Sequence, residues 1–516
     1  MTPEFTLTDL LDNSVERDPD AVVIEDGPAT YTYADLARQS DALAGALMDA
    51  GVAKGDRVGI YMEKSWESVV AMLAASRAGA AFVNLSPMLR AAQADYITQD
   101  CAIRVLMADS SKVEGVQLAG VAHVFYKGSA PMDQKSGTAL GEILAASGTG
   151  RGRTSVETDV GTILYTSGST GMPKGVAFSQ RNLVVGAQIV STYLANTRDD
   201  RILSVLPFSF DYGLNQLTTA LLVGAALIVQ HSRLPGDLAR GIPRSRATGL
   251  AGVPPVWSLL LRSARLLEEQ PPEHLRYITN SGGRIPQGNL DELRRLLPNT
   301  KIYLQYGLTE AFRSTYLDPG EIDRGSQCIG KAIPNTEILV IKDGKACPPA
   351  EVGELVHRGP TVALGYWGKE EATRLAYRPN PLAPPELHDV ERVVYSGDLV
   401  QRDEEGFLYF VGRDDAMIKS QGYRMSPEEI ESLLIGSGLV REACAFGVPD
   451  HDLGQRVIAV VSLDDGAEAT TDSIRSYAMQ HAPSYMVPGR VVIVDELPKT
   501  ASGKIDRPMV SSAYAD

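Results

Sequence analysis

Apolar residues recur along this chain in two alternating rhythms. Between positions 33 and 50 they fall at Leu36, Leu43, Leu47 and Met48, the three-to-four spacing of one helix face. Gly51 and Gly55 break that run, Arg57–Tyr61 reads as a strand, and 65–78 returns to a helical pattern. Positions 160–165, 201–205, 226–229 and 302–306 are further strand-like runs, with helical stretches between several of them. Strands alternating with helices predict α/β layers with substantial parallel pairing. Neither an internal repeat nor a low-complexity tract interrupts the pattern.

Near Ser396 the rhythm changes. Positions 393–395, 400–402 and 407–411 read as short strands, separated by turn residues such as Glu404-Glu405-Gly406. A smaller unit begins after Arg413: a helix at 427–434, strands near 443–446 and 457–462, a helix at 471–481, a strand at 491–494 and a polar tail carrying Lys504. The expected architecture is a large N-terminal domain over residues 1–414, with several layers of sheet flanked by helices. A small α+β domain follows over residues 415–516, about a hundred residues and within the usual domain range.

Composition narrows the function classes. At 516 residues the chain exceeds one ordinary core. Its 44% hydrophobic and 22% charged residues are those of a soluble globular protein. A net charge of −15 repels phosphate backbones and anionic lipid, so neither nucleic acid nor membrane is an expected partner. A local loop can still bind phosphate within an acidic protein. The cysteines, at 101, 328, 347 and 444, form no CxxC pair, which suits a reducing cytosol better than a disulfide framework or a zinc site. The first twenty residues lack the basic-then-apolar order of a signal peptide. The most apolar run, 217–229, is broken by Thr218, Thr219 and Gly224. These bounds lead us to expect a cytoplasmic enzyme.

Candidate chemistry starts directly after the apolar strand pair Ile163-Leu164, in the segment YTSGSTGMPKG from Tyr165 to Gly175. A polyphosphate needs many converging donors, and small residues let backbone N–H groups approach it closely. Thr166, Ser167, Ser169 and Thr170 add hydroxyls, Gly168 and Gly171 add backbone access, and Lys174 adds positive charge. Gly/Ser/Thr clusters also make ordinary surface turns, and the spacing is not that of a Walker A loop. Further motifs follow in order: Tyr306-Gly307-Leu308-Thr309-Glu310, Tyr395-Ser396-Gly397-Asp398, Gly412-Arg413-Asp414-Asp415, the segment APSYMVP at 482–488 and PKTASGK at 498–504. Together, in this order and over nearly the whole chain, they resemble the adenylate-forming superfamily of acyl-CoA synthetases, peptide-synthetase adenylation domains and luciferases.

That resemblance implies an AMP-forming ligase using ATP and Mg²⁺. Attack of a carboxylate on the α-phosphate joins two anions, so the site must neutralise charge and align the oxygen with the leaving pyrophosphate. By resemblance Lys504 bridges carboxylate and phosphate, Thr309 bonds the α-phosphate, and Glu310 holds Mg²⁺, which prefers hard oxygen ligands. Asp398 suits the ribose hydroxyls, with Arg413 in support. Tyr306 stacks on adenine, and Ser281, Gly282 and Gly283 line the base. Asp415 corresponds to a hinge about which the small domain swings. The swing exchanges Lys504 for a face carrying Lys419, Gln421 and Gly422 beside the thiol's entry.

The acid is read from Leu206 to Gly213. In amino-acid-activating members a Phe-Asp pair places a carboxylate against the substrate ammonium, and Phe210-Asp211 fits that pattern. Asp is equally a favoured N-cap, and a helix starting at Tyr212 would use it so. Gly307, Phe312 and Arg313 complete the expected substrate pocket. Arg313 would bind a second carboxylate or form a surface salt bridge, and Phe312 would cap the pocket or join the core. The combination is most similar to stand-alone ligases that load amino acids onto carrier proteins and to exosortase-associated acyl-CoA ligases. The chain ends shortly after Lys504, so the thiol, carrier-protein phosphopantetheine or CoA, is expected in trans. The alternatives are a fatty or aryl acyl-CoA ligase, a non-catalytic adenylate sensor and a luciferase-like oxygenase. Retention of Lys504, Glu310 and the glycine-rich loop speaks against the sensor.

Overall fold

The computed structural model describes residues 3–129, 137–146, 155–166, 173–232, 234–285, 287–384, 386, 391–413, 417–425, 427–463, 468–498 and 505–515. Among these residues the strands form three sheets. In the largest, Val22–Asp26, Ala226–Val229, Arg201–Ser204, Gly249–Gly252, Tyr277–Asn280 and Lys301–Tyr306 lie side by side and parallel. Pairing turns antiparallel at Thr315–Leu317 and continues through Cys328–Ala332, Leu408–Arg413, Arg392–Arg402, Val352–Arg358 and Glu337–Lys342. The second sheet is parallel from Val160–Thr166 through Ala81–Asn84, Arg57–Tyr61, Ile103–Asp109 and His123–Lys127. It gains Lys174–Ser179 as an antiparallel hairpin partner of Val160–Thr166.

One core joins these two sheets. It takes Ile24, Ile202 and Leu227 from the first, Val58, Phe82 and Val105 from the second, and helical residues such as Leu36, Leu43 and Val69. The helix Trp66–Arg77 is buried at all positions but Glu67 and Arg77, as a helix sandwiched between layers must be. Helix starts follow local chemistry. The Thr32 hydroxyl accepts from the Asp35 N–H ahead of Tyr33–Asp49, and the Ser65 hydroxyl accepts from the Ser68 N–H ahead of Trp66–Arg77.

The strands expected at 393–395 and 400–402 are one strand, Arg392–Arg402. Its pairing slips opposite Glu354 and Val356 of one neighbour, and between its own Leu399 and Val400 against the other. Gly397 occupies the irregular stretch with φ +68° and donates its N–H to Glu354 Oε1 at 2.9 Å. The bulge breaks the apolar alternation without ending the strand.

The third sheet is built after Arg413 from Ile418–Ser420, Tyr423–Met425, Val440–Asp450, Gly454–Leu463 and Arg490–Ile493. Alternate residues separate its two faces. Ala443, Ala445, Val457 and Ala459 pack with Ile430, Leu434 and Ile474 of the helices Pro427–Ile435 and Thr471–His481. Cys444, Phe446, Ile458 and Val460 pack instead with Leu497, Ile505 and Val510. The hairpin runs past the expected 443–446 and 457–462, because its polar end from Pro449 to Gln455 is held by backbone pairing rather than burial. Among the described residues no helix is long and apolar enough to cross a membrane.

Candidate active site

Ser204, Gly252, Asn280 and Tyr306 end four adjacent parallel strands of the large sheet. Asn84 and Thr166 end two strands of the second. The carboxyl ends of parallel strands are where open α/β sheets hold ligands, and here the two sets converge on one cavity of about 1350 Å³. Its walls include Asn84, Thr166, Lys174, Phe210, Asp211, Ser281, Gly282, Gly283, Tyr306, Gly307, Thr309, Glu310, Arg313 and Asp398. Lys419, Gly422, Tyr423, Glu429 and Tyr485 of the C-terminal unit line the same space.

Each wall is fixed by identifiable contacts. The turn after Asn280 is held by Trp257 Nε1 donating to Asn280 Oδ1 at 2.9 Å and Asn280 Nδ2 donating to the Gly283 carbonyl at 2.8 Å. Tyr306 donates its hydroxyl to Asp398 Oδ2, which ties the end of a parallel strand to the bulged strand. Tyr366 donates to Glu310 Oε1 at 2.6 Å, and its ring lies 5.3 Å from Lys174 Nζ. Tyr366 was not recognisable from sequence, since it belongs to none of the motifs. Thr166 and Lys174 are paired across the hairpin whose loop is the glycine-rich segment. Ser167, Gly168, Ser169, Thr170 and Gly171 of that loop lie outside the described residues, as do Asp415 and Lys504. Arg413 is the backbone register partner of Asp398 on the neighbouring strand.

Asp211 is the first residue of the helix Asp211–Val223, whose N-cap is Phe210 and has no side-chain cap bond. Asp211 thus stands one residue inside the helix rather than at its N-cap, and its carboxylate accepts from backbone N–H groups of the first turn, those of Asp211 and Tyr212. Gly213 lets this helix start hard against the preceding turn, because a Cβ there would overlap the Pro207 carbonyl oxygen. Asp211 is 5% exposed, and burial pushes its carboxyl up to about 6, with the Arg313 charge pulling the other way.

Arg313 is not on the surface. It is 2% exposed, donates Nη1 to Ser281 Oγ at 2.8 Å and stacks 4.4 Å from the Tyr212 ring centroid. Phe312, expected among the substrate residues, does not line the cavity. It sits in the main core, its ring where a Cβ on Gly186 would be. The reason is backbone geometry: Phe312 has φ +66° and ψ −74°, a γ-turn closed by the Arg313 N–H on the Ala311 carbonyl at 2.8 Å, so the chain reverses there and the next side chain enters the site.

The C-terminal unit meets the cavity through its Lys419–Tyr423 hairpin. Gly422, at φ +82°, is seated against Val253, whose Cγ2 lies 2.8 Å from where a Cβ would stand. Tyr423 stacks on Tyr485 at 3.9 Å, and Arg262 pairs with Asp452 across the boundary at 2.5 Å. Glu429 beside them has an unpartnered Oε2, and burial raises its carboxyl to about 8. Leu497 and Ile505, which flank the Lys504 segment, pack on the opposite face of the C-terminal sheet.

Residues 11–367 match the AMP-binding enzyme family, and residues 429–504 match the AMP-binding enzyme C-terminal domain. Bacitracin synthase 3 of Bacillus licheniformis is 29% identical over 97% of this chain, and the non-canonical peptide synthetase CymA of Salinispora arenicola is 31% identical over 95%. The chain spans 8% and 6% of those proteins' lengths. Among solved structures, o-succinylbenzoate CoA synthetase from Bacillus subtilis aligns at TM-score 0.83 and 25% identity, covering 98% of each chain. ATP-bound MatB from Rhodopseudomonas palustris aligns at TM-score 0.71 and 27% identity, covering 99% of each.

Proposed function

Because this chain belongs to the AMP-binding enzyme family of adenylate-forming ligases, we propose that it activates an amino acid, α or β, as aminoacyl-AMP and passes it to a phosphopantetheine thiol on a carrier protein. The observation that carries the amino-acid part is Asp211. A carboxylate at the cavity wall, itself almost fully buried, is a counter-charge for an ammonium. Curated relatives that are peptide synthetases support the same reading.

In the first step the acid's carboxylate oxygen bonds to the α-phosphorus of ATP, and the bond to pyrophosphate breaks. Thr309 and the loop from Thr166 to Lys174 hold phosphate oxygens, Asp398 accepts from the ribose hydroxyls, and Tyr306 with Ser281–Gly283 bounds the adenine. Mg²⁺ typically takes one or two carboxylates plus substrate phosphates. Glu310, an oxygen donor on the cavity wall beside Tyr366, fits that mode. Among the described residues no cluster of three acids, histidines or cysteines is present to hold a metal alone. When bound, the ion would neutralise charge on the phosphates.

In the second step the thiol sulfur attacks the acyl carbon, AMP departs, and the thiol proton leaves with it or to solvent. We assign residues 1–414 to the ATP- and acid-binding domain and 415–516 to a unit that turns about Asp415. The orientation described here, with Lys419 and Gly422 on the cavity wall, suits the second step. The first requires Lys504 to be brought round.

A fatty or aryl acyl-CoA ligase is the second reading, favoured by the likeness to a CoA synthetase. ATP–pyrophosphate exchange across α-amino, β-amino, fatty and aryl acids separates the two. Exchange confined to fatty or aryl acids and indifferent to Asp211→Asn would sink the amino-acid assignment.

A further inference from the structure

We infer that the acid carries a second carboxylate, and that Arg313 receives it, making the substrate an amino dicarboxylic acid. This rests on the ammonium reading of Asp211 and extends it. Arg313 lines the cavity and is 98% removed from solvent, yet its Nε and Nη2 have no hydrogen-bond partner. Among the described residues Nη1 donates to Ser281, and the buried Tyr193 hydroxyl lies near the guanidinium. Nε and Nη2 share one edge of the guanidinium fork, the edge that matches the two oxygens of a carboxylate. Leaving two donors of a buried cation unmade is costly, and the aromatic face of Tyr212 at 4.4 Å offsets only part of that.

Charge counting points the same way. Glu310, which also acts on Asp211, is assigned to the phosphate-bound ion; of the remaining pair, Asp211 and Arg313 balance each other while the cavity is empty. An ammonium placed on Asp211 leaves the buried Arg313 cation uncompensated, and a second carboxylate restores neutrality. Gln305 on the same wall has an unpartnered Oε1, its Nε2 being held by the Tyr193 hydroxyl at 2.8 Å. An acceptor on the same wall as the donors would also greet a carboxamide, so carboxylate and carboxamide side chains must be tested against each other.

The experiment is ATP–pyrophosphate exchange by the intact chain with four sets of acids: amino dicarboxylic acids, their side-chain monoamides, neutral amino acids, and dicarboxylic acids without an amine. Amino dicarboxylic acids are expected to exceed their monoamides roughly tenfold to a hundredfold in kcat/KM, the range of hydrogen bonds to a charged group. Arg313→Gln should invert that ratio, whereas a purely structural role would depress all four sets alike. Should that variant fail to fold, the panel with the unaltered chain decides. Best exchange with monoamides or neutral amino acids overturns the inference and leaves the ammonium reading standing. Equal exchange by dicarboxylic acids lacking the amine supports Arg313 and removes the ammonium role of Asp211.

Discussion

Asp211 makes a prediction in which activity and stability move in opposite directions. Its carboxyl sits at about 6 because burial penalises the charged form, the nearby Arg313 cation opposing. An ammonium binds only the ionised form, so kcat/KM for the amino acid should fall as pH drops through about 6. At pH 5 roughly a tenth of the free enzyme is competent, a loss of about tenfold from the pH 8 plateau. Asp211→Asn should flatten that profile and lower the plateau. An ammonium left without its counter-charge costs about 3–5 kcal/mol, or roughly two to three and a half orders of magnitude. Stability behaves oppositely. The folded carboxyl is raised from 3.8 to about 6, so this group's stabilisation is full below the unfolded value and is lost as pH rises through 6. At pH 8 the Asn variant should therefore be more stable than the parent, by at most about 3 kcal/mol. Pyrophosphate exchange between pH 5 and 8, paired with urea unfolding at pH 8, measures both. A variant that is less stable at pH 8, with the parent profile already flat through pH 6, would falsify the assignment.

Three further expectations concern the C-terminal unit. Lys504→Ala should abolish pyrophosphate exchange while sparing thioester formation from supplied aminoacyl-AMP; equal loss of both half-reactions contradicts the division of labour. Gly422→Ala should do the reverse, slowing thioester formation several-fold with exchange near normal. Its Cβ would meet Val253 at 2.8 Å in the orientation assigned to the thiol step, at a φ of +82° that disfavours a side chain. Glu429 has its folded carboxyl raised from 4.5 to about 8, so its contribution is full below pH 4.5 and lost as pH rises through 8. Glu429→Gln should remove that slope and raise the melting temperature at pH 8.5, with an upper bound on the order of 5 kcal/mol; parallel parent and variant slopes between pH 5 and 8.5 count against it.

The motifs were legible because each occupies a place where backbone geometry forces composition. Strand ends at Thr166, Asn280 and Tyr306 are followed by small residues, which let neighbouring loops and a ligand approach the main chain. The strands Arg57–Tyr61 and Ala226–Val229 have the bounds read from the sequence, since burial on both faces of a parallel sheet demands unbroken apolar runs. The bulge at Gly397 was not legible as a bulge. Period-two alternation is lost there, and a lost pattern reads as a strand end whether or not the backbone pairing continues. What it accomplishes, turning Asp398 toward Tyr306, depends on two neighbours far away in sequence.

The pair Phe312-Arg313 carries that lesson into the site itself. Side-chain preference alone would bury the phenylalanine in an apolar acid pocket and leave the arginine in water. The structure exchanges them, because one residue at φ +66° reverses the chain after the turn of Thr309–Ala311. Phe312 then fills the space that Gly186 leaves open in the core, and Arg313 is carried into the cavity beside Asp211. Neither partner could be inferred from its own neighbours. Gly186 lies inside the helix Gln180–Leu194, where its lack of a side chain looks merely unfavourable until Phe312 is seen against it. The same substitution therefore tests both halves of the arrangement. Gly186→Ala adds a Cβ 2.7 Å from the Phe312 ring, which must shift the turn that presents Arg313. Despite alanine's better helix propensity, the variant should be less stable by about 1–3 kcal/mol. It should also lose discrimination between carboxylate and carboxamide side chains in pyrophosphate exchange. A variant that gained stability and kept that discrimination would show that the glycine and the reversed backbone are independent of the pocket.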